Sequence, residues 1–340
     1  MLVPTRNYSN PVYRYGFQGQ EKDDEIKGIG NSINYKFRMH DPRVGRFFAV
    51  DPLTKKYPWN SPYAFSENAV ISYIELEGLE KATPEMTQRA IISLLIFRDN
   101  GGKGKWKNIL RKNYANALIK MVRNSNTINQ SKTNLCGIAA TMKVMIDYDP
   151  ESFVDSAISL FESGEAESKS FFYGNIYANK DLFNKSPSQG LDSGSYVVMS
   201  SMRNYGNYIS SYDPDTDTGI QGFTYPHDIP DILTNFANIK DVSSDYKQDI
   251  NGLNRALNDG AAIVALFDID RLKTGVPNSN FLQRNFGNHY VTINSITQSG
   301  NSITINYWNH GDTSKKQTTI TTTKSNYEKS IKEYKIFNSD

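Results

Sequence analysis

The chain has 340 residues, 38% of them hydrophobic, and a net charge of +2 from 38 basic and 36 acidic residues. Its length allows two domains and its composition allows a buried core, whereas the near balance of charge excludes a strongly basic surface for nucleic acid or anionic membranes. No apolar run approaches the roughly 18 residues of a membrane span, and the first residues lack the apolar core of a secretory signal peptide.

The first 80 residues favour β structure. Apolar and polar residues alternate over residues 33–39, which predicts a strand. Residues 41–45 have the composition of a turn, and residues 46–50 are expected to return as the partner strand.

Six pieces of this region follow one another in a fixed order, at residues 35–41, 45–47, 51–53, 61–65, 67–68 and 74–79. In these pieces the chain resembles the end of the Rhs repeat-associated core, over about residues 12–80. The resemblance implies that residues 1–80 are a short all-β remnant of that core, and that the residues after about 80 are a C-terminal effector toxin. The family's long repeat array is missing, so the chain is not expected to close the family's β-cage. Some relatives cut themselves after Asp-Pro-X-Gly-Leu, whereas residues 75–79 read Glu-Leu-Glu-Gly-Leu, which leaves self-cleavage near Leu79 open.

Residues 81–105 are predicted to be a junction, because they contain Pro84 and a glycine-rich stretch at 99–105. From Trp106 to Val122 apolar residues recur at helical spacing, and residues 124–126 are expected to end that helix.

The remainder, residues 106–340, is predicted to be α+β. Helices are expected at about residues 134–148, 151–163, 229–239 and 249–259, and strands at 261–269, 289–296 and 302–308. The last two strands are expected to form a hairpin. Residues 186–228 are rich in Ser, Asn, Gly and Asp and are expected to be mostly loop, and residues 318–323 an edge strand or a polar tail.

The candidate nucleophile is Cys136, the single cysteine, which cannot form an internal disulfide. Asn134 is expected to cap the next helix, which places Cys136 in the first turn. Free N–H groups and the helix dipole favour a thiolate there, and an imidazolium partner favours it further. The alternative is a buried structural cysteine.

Two further residues suit acyl-transfer chemistry. Gln130 precedes Cys136 by six residues, so its amide and the Cys136 backbone N–H can point at one oxyanion. His289 opens a strand, and its ring can project from the strand end into a cleft. The alternatives are an exposed loop glutamine and a packed or surface histidine.

A catalytic imidazole needs a group that holds its other nitrogen. Hairpin register places His289 opposite residues 310–312, so Asn309 and Asp312 are both within reach. Asn309 is preferred because it directly follows Tyr307 and Trp308 at the strand end, and Asp312 is the second choice. Asn306 is third, because it lies about 13 Å further along the ladder at ~3.4 Å per residue.

Taken in order, Gln130, Cys136, His289 and Asn309 resemble the papain-like cysteine peptidase superfamily. Residues 134–139 look like the cysteine helix of papain-fold bacterial toxins and leader-processing peptidases, although Ile-Ala follows the glycine where papain has a tryptophan.

That resemblance implies a two-lobed domain over residues 106–340, with a helical lobe carrying Cys136 and an antiparallel β lobe carrying His289. It assigns Cys136 as nucleophile, His289 as base, Asn309 as orienter and Gln130 as oxyanion donor.

No cofactor is expected. His289, His310, Asp312 and Cys136 lack the spacing of a metal site, and no glycine-rich phosphate loop follows a strand.

The two resemblances predict an effector that acts on amide bonds. A protease ranks first, a glutamine deamidase or transglutaminase second, and a non-catalytic binding module or structural Rhs fragment is the alternative from another class. Expected partners are a protein substrate in a target cell, a cognate immunity protein and secretion machinery. The chain is expected to be cytoplasmic in the producer and then exported by a specialised system without a signal peptide.

Overall fold

The structure, a computed structural model, divides into two compact units, Met1–Glu80 and Lys81–Asp340. It describes residues 21–28, 31–34, 38–50, 61–65, 82–168, 174–206, 211–217, 224, 227–237, 239–246, 249–280, 287–311 and 317–339. The Rhs-like pieces at 51–53, 67–68 and 74–79 lie outside these residues, and so does Asp312.

The first unit contains a small antiparallel sheet. Its elements are β1 (Glu21–Lys22), α1 (Asp24–Lys27), β2 (Ile33–Asn34), β3 (Met39–Asp41) and β4 (Arg46–Phe47), with strand order β1-β2-β3-β4. The hairpin expected across residues 41–45 is confirmed, because His40 pairs with Phe47 and the Gly45 N–H donates to the Asp41 carbonyl at 2.9 Å. The single strand expected over residues 33–39 is wrong, because Ile33 pairs with His40 and the two ends belong to antiparallel partners.

The second unit combines helices with an antiparallel sheet, so the expected α+β class is confirmed. Its helices are α2 (Pro84–Asp99), α3 (Arg111–Arg123), α4 (Cys136–Tyr148), α5 (Pro150–Glu162), α6 (Ser193–Tyr205), α7 (Asp228–Ala237), α8 (Ile250–Asn258), α9 (Ile269–Thr274) and α10 (Lys324–Ser330). Its strands are β5 (Glu165–Ala166), β6 (Ile176–Tyr177), β7 (Ile239–Asp241), β8 (Ala262–Phe267), β9 (His289–Ser299), β10 (Ser302–Trp308), β11 (Gln317–Thr323) and β12 (Ile331–Ser339).

Six of these strands form one sheet in the order β11-β10-β9-β8-β12-β7, and every neighbouring pair is antiparallel. Residues 317–323 are therefore an edge strand rather than a polar tail. The sheet separates two apolar clusters, because successive side chains of a strand point to opposite faces. Along β8, Val264 and Leu266 pack with the helical cluster around α4, whereas Ile263 and Phe267 pack with the cluster under α8 and α10. Strand β8 is buried on both faces.

Two of the helices lie in segments that the sequence assigns to a junction and to loop, and the short helices α9 and α10 are not predicted either. Residues 84–99, assigned to a junction, form α2, which begins at a Thr83 cap with Pro84 in the first turn and buries Leu94 and Phe97. Residues 193–205, assigned to loop, form α6, capped by Asp192. Ser200 and Ser201 are tolerated in the core because their hydroxyls donate to the carbonyls of Tyr196 and Val197 one turn back.

No helix among the described residues is both long and apolar enough to cross a membrane.

Helix α2 allows a direct test that it belongs to the core. Leu94 is 0% exposed and Ile96, on the same helix, is 56% exposed. We expect Leu94→Ala to lower the free energy of unfolding by about 2–5 kcal/mol, because it removes buried apolar atoms and leaves a cavity. The matched change Ile96→Ala is expected to stay within about 0.5 kcal/mol. Urea unfolding of both variants measures this, and equal small losses would contradict the assignment of α2 to the core.

Candidate functional site

Cys136 is the first residue of α4 and lies in the helical core. The helix is capped by Leu135, whose side chain makes no capping bond, and the Ala139 N–H donates to the Leu135 carbonyl at 2.8 Å. Asn134 is therefore not the cap that the sequence predicts, although Cys136 still occupies the first turn. The Cys136 side chain is almost fully buried, at 6% exposure.

The groups that shift the pKa of the Cys136 thiol show what lies next to it. Burial raises the pKa of Cys136, and the backbone N–H groups of Tyr290, Gly137 and Cys136 itself oppose that rise. The Tyr290 N–H belongs to the peptide bond that follows His289. The sulfur therefore lies against the start of β9, next to the residue that carries the imidazole.

His289 is held by Asn309 across the hairpin. The His289 Nε2 and Asn309 Oδ1 atoms are 3.0 Å apart, and the same oxygen accepts the Gly311 N–H at 3.2 Å. Because that oxygen is the acceptor, Nε2 carries the proton and Nδ1 is the basic nitrogen. This is the arrangement that a base beside a nucleophile needs.

The charges of the pair differ from the expected thiolate and imidazolium. Burial lowers the pKa of His289, and nearby Lys273 lowers it further, whereas the bond to Asn309 and the charge of Asp270 act in the opposite direction. Since burial also raises the pKa of Cys136, both groups are uncharged in the free protein near neutral pH.

Gln130 lies beside the same hairpin end. Its backbone N–H donates to the His310 carbonyl at 3.1 Å, and its Nε2 would be 3.1 Å from a Cβ placed on Gly311. A turn leads from Gln130 to α4, in which the Thr133 hydroxyl donates to the Gln130 carbonyl at 2.6 Å. Gln130 is half-buried rather than an exposed loop residue, and its buried Oε1 has no hydrogen-bond partner among the described residues.

The other two candidates for the third position do not join the site. Asn306 pairs with Ser295, six residues from His289 along β9, and its side chain donates to the Thr319 hydroxyl at 3.2 Å on the exposed face of the sheet. Strand geometry thus carries it about 20 Å along β9 at ~3.4 Å per residue. Asp312 lies outside the described residues.

Two hydrogen bonds of Asn288, called here the Asn288–Asp270 bracket, fix the residue before His289. The sequence alone does not indicate them. The Asn288 Oδ1 accepts the Ile269 N–H at 2.9 Å, and its Nδ2 donates to the Asp270 carboxylate at 2.9 Å. This bracket joins the start of α9 to the start of β9. An acidic residue just after a buried strand was visible in the sequence, but its contact with residue 288 depends on the β8–β9 register.

Gly137 allows close packing against the first turn of α4. A Cβ at this position would lie 2.5 Å from the Thr224 Cβ, and Thr224 is itself 1% exposed. Only a glycine therefore leaves room for Thr224 beside the thiol.

The remaining histidines have other surroundings. His40 stacks on Phe65 in the first unit, with ring centroids 3.7 Å apart, and His227 is exposed and paired with Asp228. His310 is buried against Trp308. No group of three or more His, Cys, Asp or Glu residues able to hold a metal ion occurs in the part of the chain that the structure describes.

Comparison with known proteins yields one short sequence match. No family model and no solved structure matches the chain. It is 39% identical over 72 residues to salivary gland surface protein 1 of Aedes aegypti, a match that covers 21% of this chain. The matched region spans only 2% of the length of that protein.

The role of Asn309 can be tested against Asn306, a matched asparagine on the same hairpin. We expect Asn309→Ala to slow alkylation of Cys136 by iodoacetamide by up to about 10²-fold, because the imidazole loses its orientation. Asn306→Ala is expected to leave the rate unchanged. The rate of mass gain of the intact protein measures this, and equal rates in the two variants would contradict the orienting role.

The pKa shifts predict the pH dependence of the same reaction. His289, with its pKa below the usual 6.5, is a neutral base above that pH and becomes protonated only as the pH falls further. The wild-type rate should therefore be nearly constant from about pH 6.5 to the ordinary thiol value of 9.0 and fall on acidification. In His289→Ala the rate should rise only above the ordinary thiol value of 9.0, because burial raises the pKa of Cys136. A fast rate that persists to pH 4 in the wild type would instead indicate a preformed ion pair.

Proposed function

We propose that the second unit is a papain-like cysteine hydrolase that acts on amide bonds, and that it serves as a toxin effector. The observation that carries this proposal is the meeting of three elements. The N-terminus of α4 brings the Cys136 sulfur to the peptide bond that follows His289. The His289 Nε2 donates a hydrogen bond to the Asn309 Oδ1 at 3.0 Å. The domain includes α2 and so begins before residue 106.

The geometry supports a general-base mechanism. His289 Nδ1 accepts the thiol proton, and the Cys136 sulfur attacks the amide carbonyl carbon. The Gln130 side-chain amide and the Cys136 backbone N–H donate to the oxyanion. His289 then gives its proton to the leaving amine, and water hydrolyses the thioester. Because both groups start uncharged, proton transfer accompanies attack.

The architecture supports a papain-like arrangement. Cys136 begins a buried helix, and His289 and Asn309 lie at one end of an antiparallel hairpin. Cys136, Tyr290 and Trp308 belong to one apolar cluster, so α4 packs directly against this end of the sheet. The helical side supplies the nucleophile and the sheet supplies the base.

The same thioester chemistry serves three reactions. A backbone amide gives proteolysis, a glutamine side chain gives deamidation, and an amine in place of water gives transglutamination. We rank proteolysis first and deamidation second.

A non-catalytic binding module is the competing function, and one observation favours it. Cys136 is only 6% exposed and burial raises its pKa, as expected for a structural cysteine. A dead papain-like fold or a structural Rhs fragment would have such a thiol.

The biological setting is inferred from the Rhs resemblance. We infer that the chain is kept harmless in the producer cytoplasm by a cognate immunity protein, and that secretion machinery delivers it to a target cell. The turn at residues 41–45 and its two paired strands, within the Rhs-like region, are compatible with a core remnant.

Expression in a bacterial host tests the enzyme against the binding module. We expect Cys136→Ala and His289→Ala each to abolish toxicity, because one removes the nucleophile and the other the base. Thermal unfolding should show that both variants remain folded. Full toxicity of Cys136→Ala would favour the binding module.

The control for this experiment is Asn306→Ala, which alters a half-buried asparagine of the same hairpin about 20 Å along β9 from His289 at ~3.4 Å per residue and should remain toxic. Intact-mass analysis of treated target proteins then separates the reactions. Proteolysis yields fragments, whereas deamidation adds roughly one mass unit.

A further inference from the structure

His310 is a buried histidine that the proposed mechanism does not use. Its side chain is 1% exposed, and its ring lies edge-on to Trp308 with centroids 4.0 Å apart. The ring centroid is 6.2 Å from that of His289. A titratable ring therefore fills the core directly behind the candidate site.

The backbone of His310 connects two site residues. Its carbonyl accepts the Gln130 N–H at 3.1 Å, and it directly follows Asn309, whose Oδ1 also accepts the Gly311 N–H at 3.2 Å. Displacement of residue 310 would therefore move the oxyanion donor and the group that orients His289 together.

The surroundings of the ring oppose a positive charge. Lys143 of α4 is buried close by, with its Nζ 5.2 Å from the centre of the Trp308 ring. The Lys143 ammonium is hydrogen-bonded to Ser125 Oγ and Asp147 Oδ2, each at 2.8 Å.

Among the described residues, the titratable groups that act on the His310 ring are Lys143 from α4 and His289 from β9. Burial lowers the pKa of His310 well below 6.5, both of these groups lower it further, and the Tyr290 carbonyl of β9 acts in the opposite direction. Neither ring nitrogen makes a well-formed hydrogen bond to a described residue. The ring is thus stable in its pocket only while it is neutral.

We propose that His310 is a positioning residue and an acid-sensitive latch, whose neutral buried ring holds Asn309 and Gln130 in place and whose protonation releases both. The predicted effect of the latch on catalysis rests on the proposed function. The structural part, expulsion of a protonated ring from beside Trp308, stands independently of any reaction.

Linkage gives the direction of the pH effect. A group whose pKa is lower in the folded than in the unfolded chain contributes stability above its unfolded value, and that stability is lost as the pH falls through the folded value. The latch is therefore closed above about pH 6.5 and opens on acidification below it, where the unfolded chain binds the proton more readily.

Fluorescence of Trp308 tests the latch, because the indole lies against the ring. We expect a transition below pH 6.5 in the wild type that is absent in Trp308→Phe, which identifies its source among the three tryptophans. In His310→Phe, which keeps an aromatic ring and cannot be protonated, the transition should disappear or move down by at least one pH unit. His227→Gln removes an exposed histidine and should behave as the wild type. An identical transition in wild type and His310→Phe would overturn the proposal.

Two measurements keep the test decisive if His310→Phe does not fold. NMR titration of the wild-type His310 ring should show protonation together with the Trp308 change, and protonation without any change at Trp308 would overturn the latch.

The rate of Cys136 alkylation should fall more steeply on acidification in the wild type than in His310→Leu, because two rings bind protons instead of one. Equal steepness would overturn the link to the site. An unreactive Cys136 with an intact Trp308 transition would refute the proposed enzyme and leave the structural latch standing.

Discussion

A hydrogen bond between the two ends of one hairpin holds the candidate site together. His289 begins β9, and Asn309 follows the last residue of β10, so the bond of 3.0 Å closes the open end of the hairpin. A bulge makes the closure possible. The pairing steps from Asn306–Ser295 to Tyr307–Ile293, which leaves Asn294 as an extra residue in β9. Because a shift of one residue moves side chains to the opposite face, the bulge directs Tyr290 and Trp308 together towards the apolar cluster that includes Cys136 of α4.

Desolvation sets the electrostatic character of the site. The helix N-terminus and the backbone N–H groups of Tyr290 and Gly137 favour a thiolate at Cys136, but burial has the larger effect and the pKa rises. The same burial lowers the pKa of His289 and of His310. Three neighbouring titratable groups are therefore uncharged at neutral pH, and charge on them develops only on acidification or in the proposed reaction. A substrate that contributes its own polar atoms to the site would reduce this penalty for the thiolate.

The elements that could be predicted from the sequence are those whose evidence is local. Alternation and a tight turn were enough for the β9–β10 hairpin, and hairpin register was enough to prefer Asn309 to Asn306. Residues 84–99 and 193–205 were misassigned because glycine, proline and serine signals outweighed helical spacing, whereas tertiary packing buried both segments as helices. The Asn288–Asp270 bracket and the Lys143–Trp308 contact depend on long-range register, which a single sequence does not contain.

Hydrogen bonds hold the backbone of Gln130 in place, whereas its side-chain oxygen has no hydrogen-bond partner among the described residues. Its N–H is tied to His310 and its carbonyl to Thr133, so the main chain is held between the sheet and the first turn of α4. Its Oε1 is buried and has no partner among the described residues, which is costly for a purely structural amide. The Nε2 end faces Gly311 beside Asn309, which places the amide at the hairpin end that carries His289. The unsatisfied oxygen and the anchored backbone together fit a donor that is positioned before the substrate arrives, which is the condition for stabilising a transition state more than a ground state.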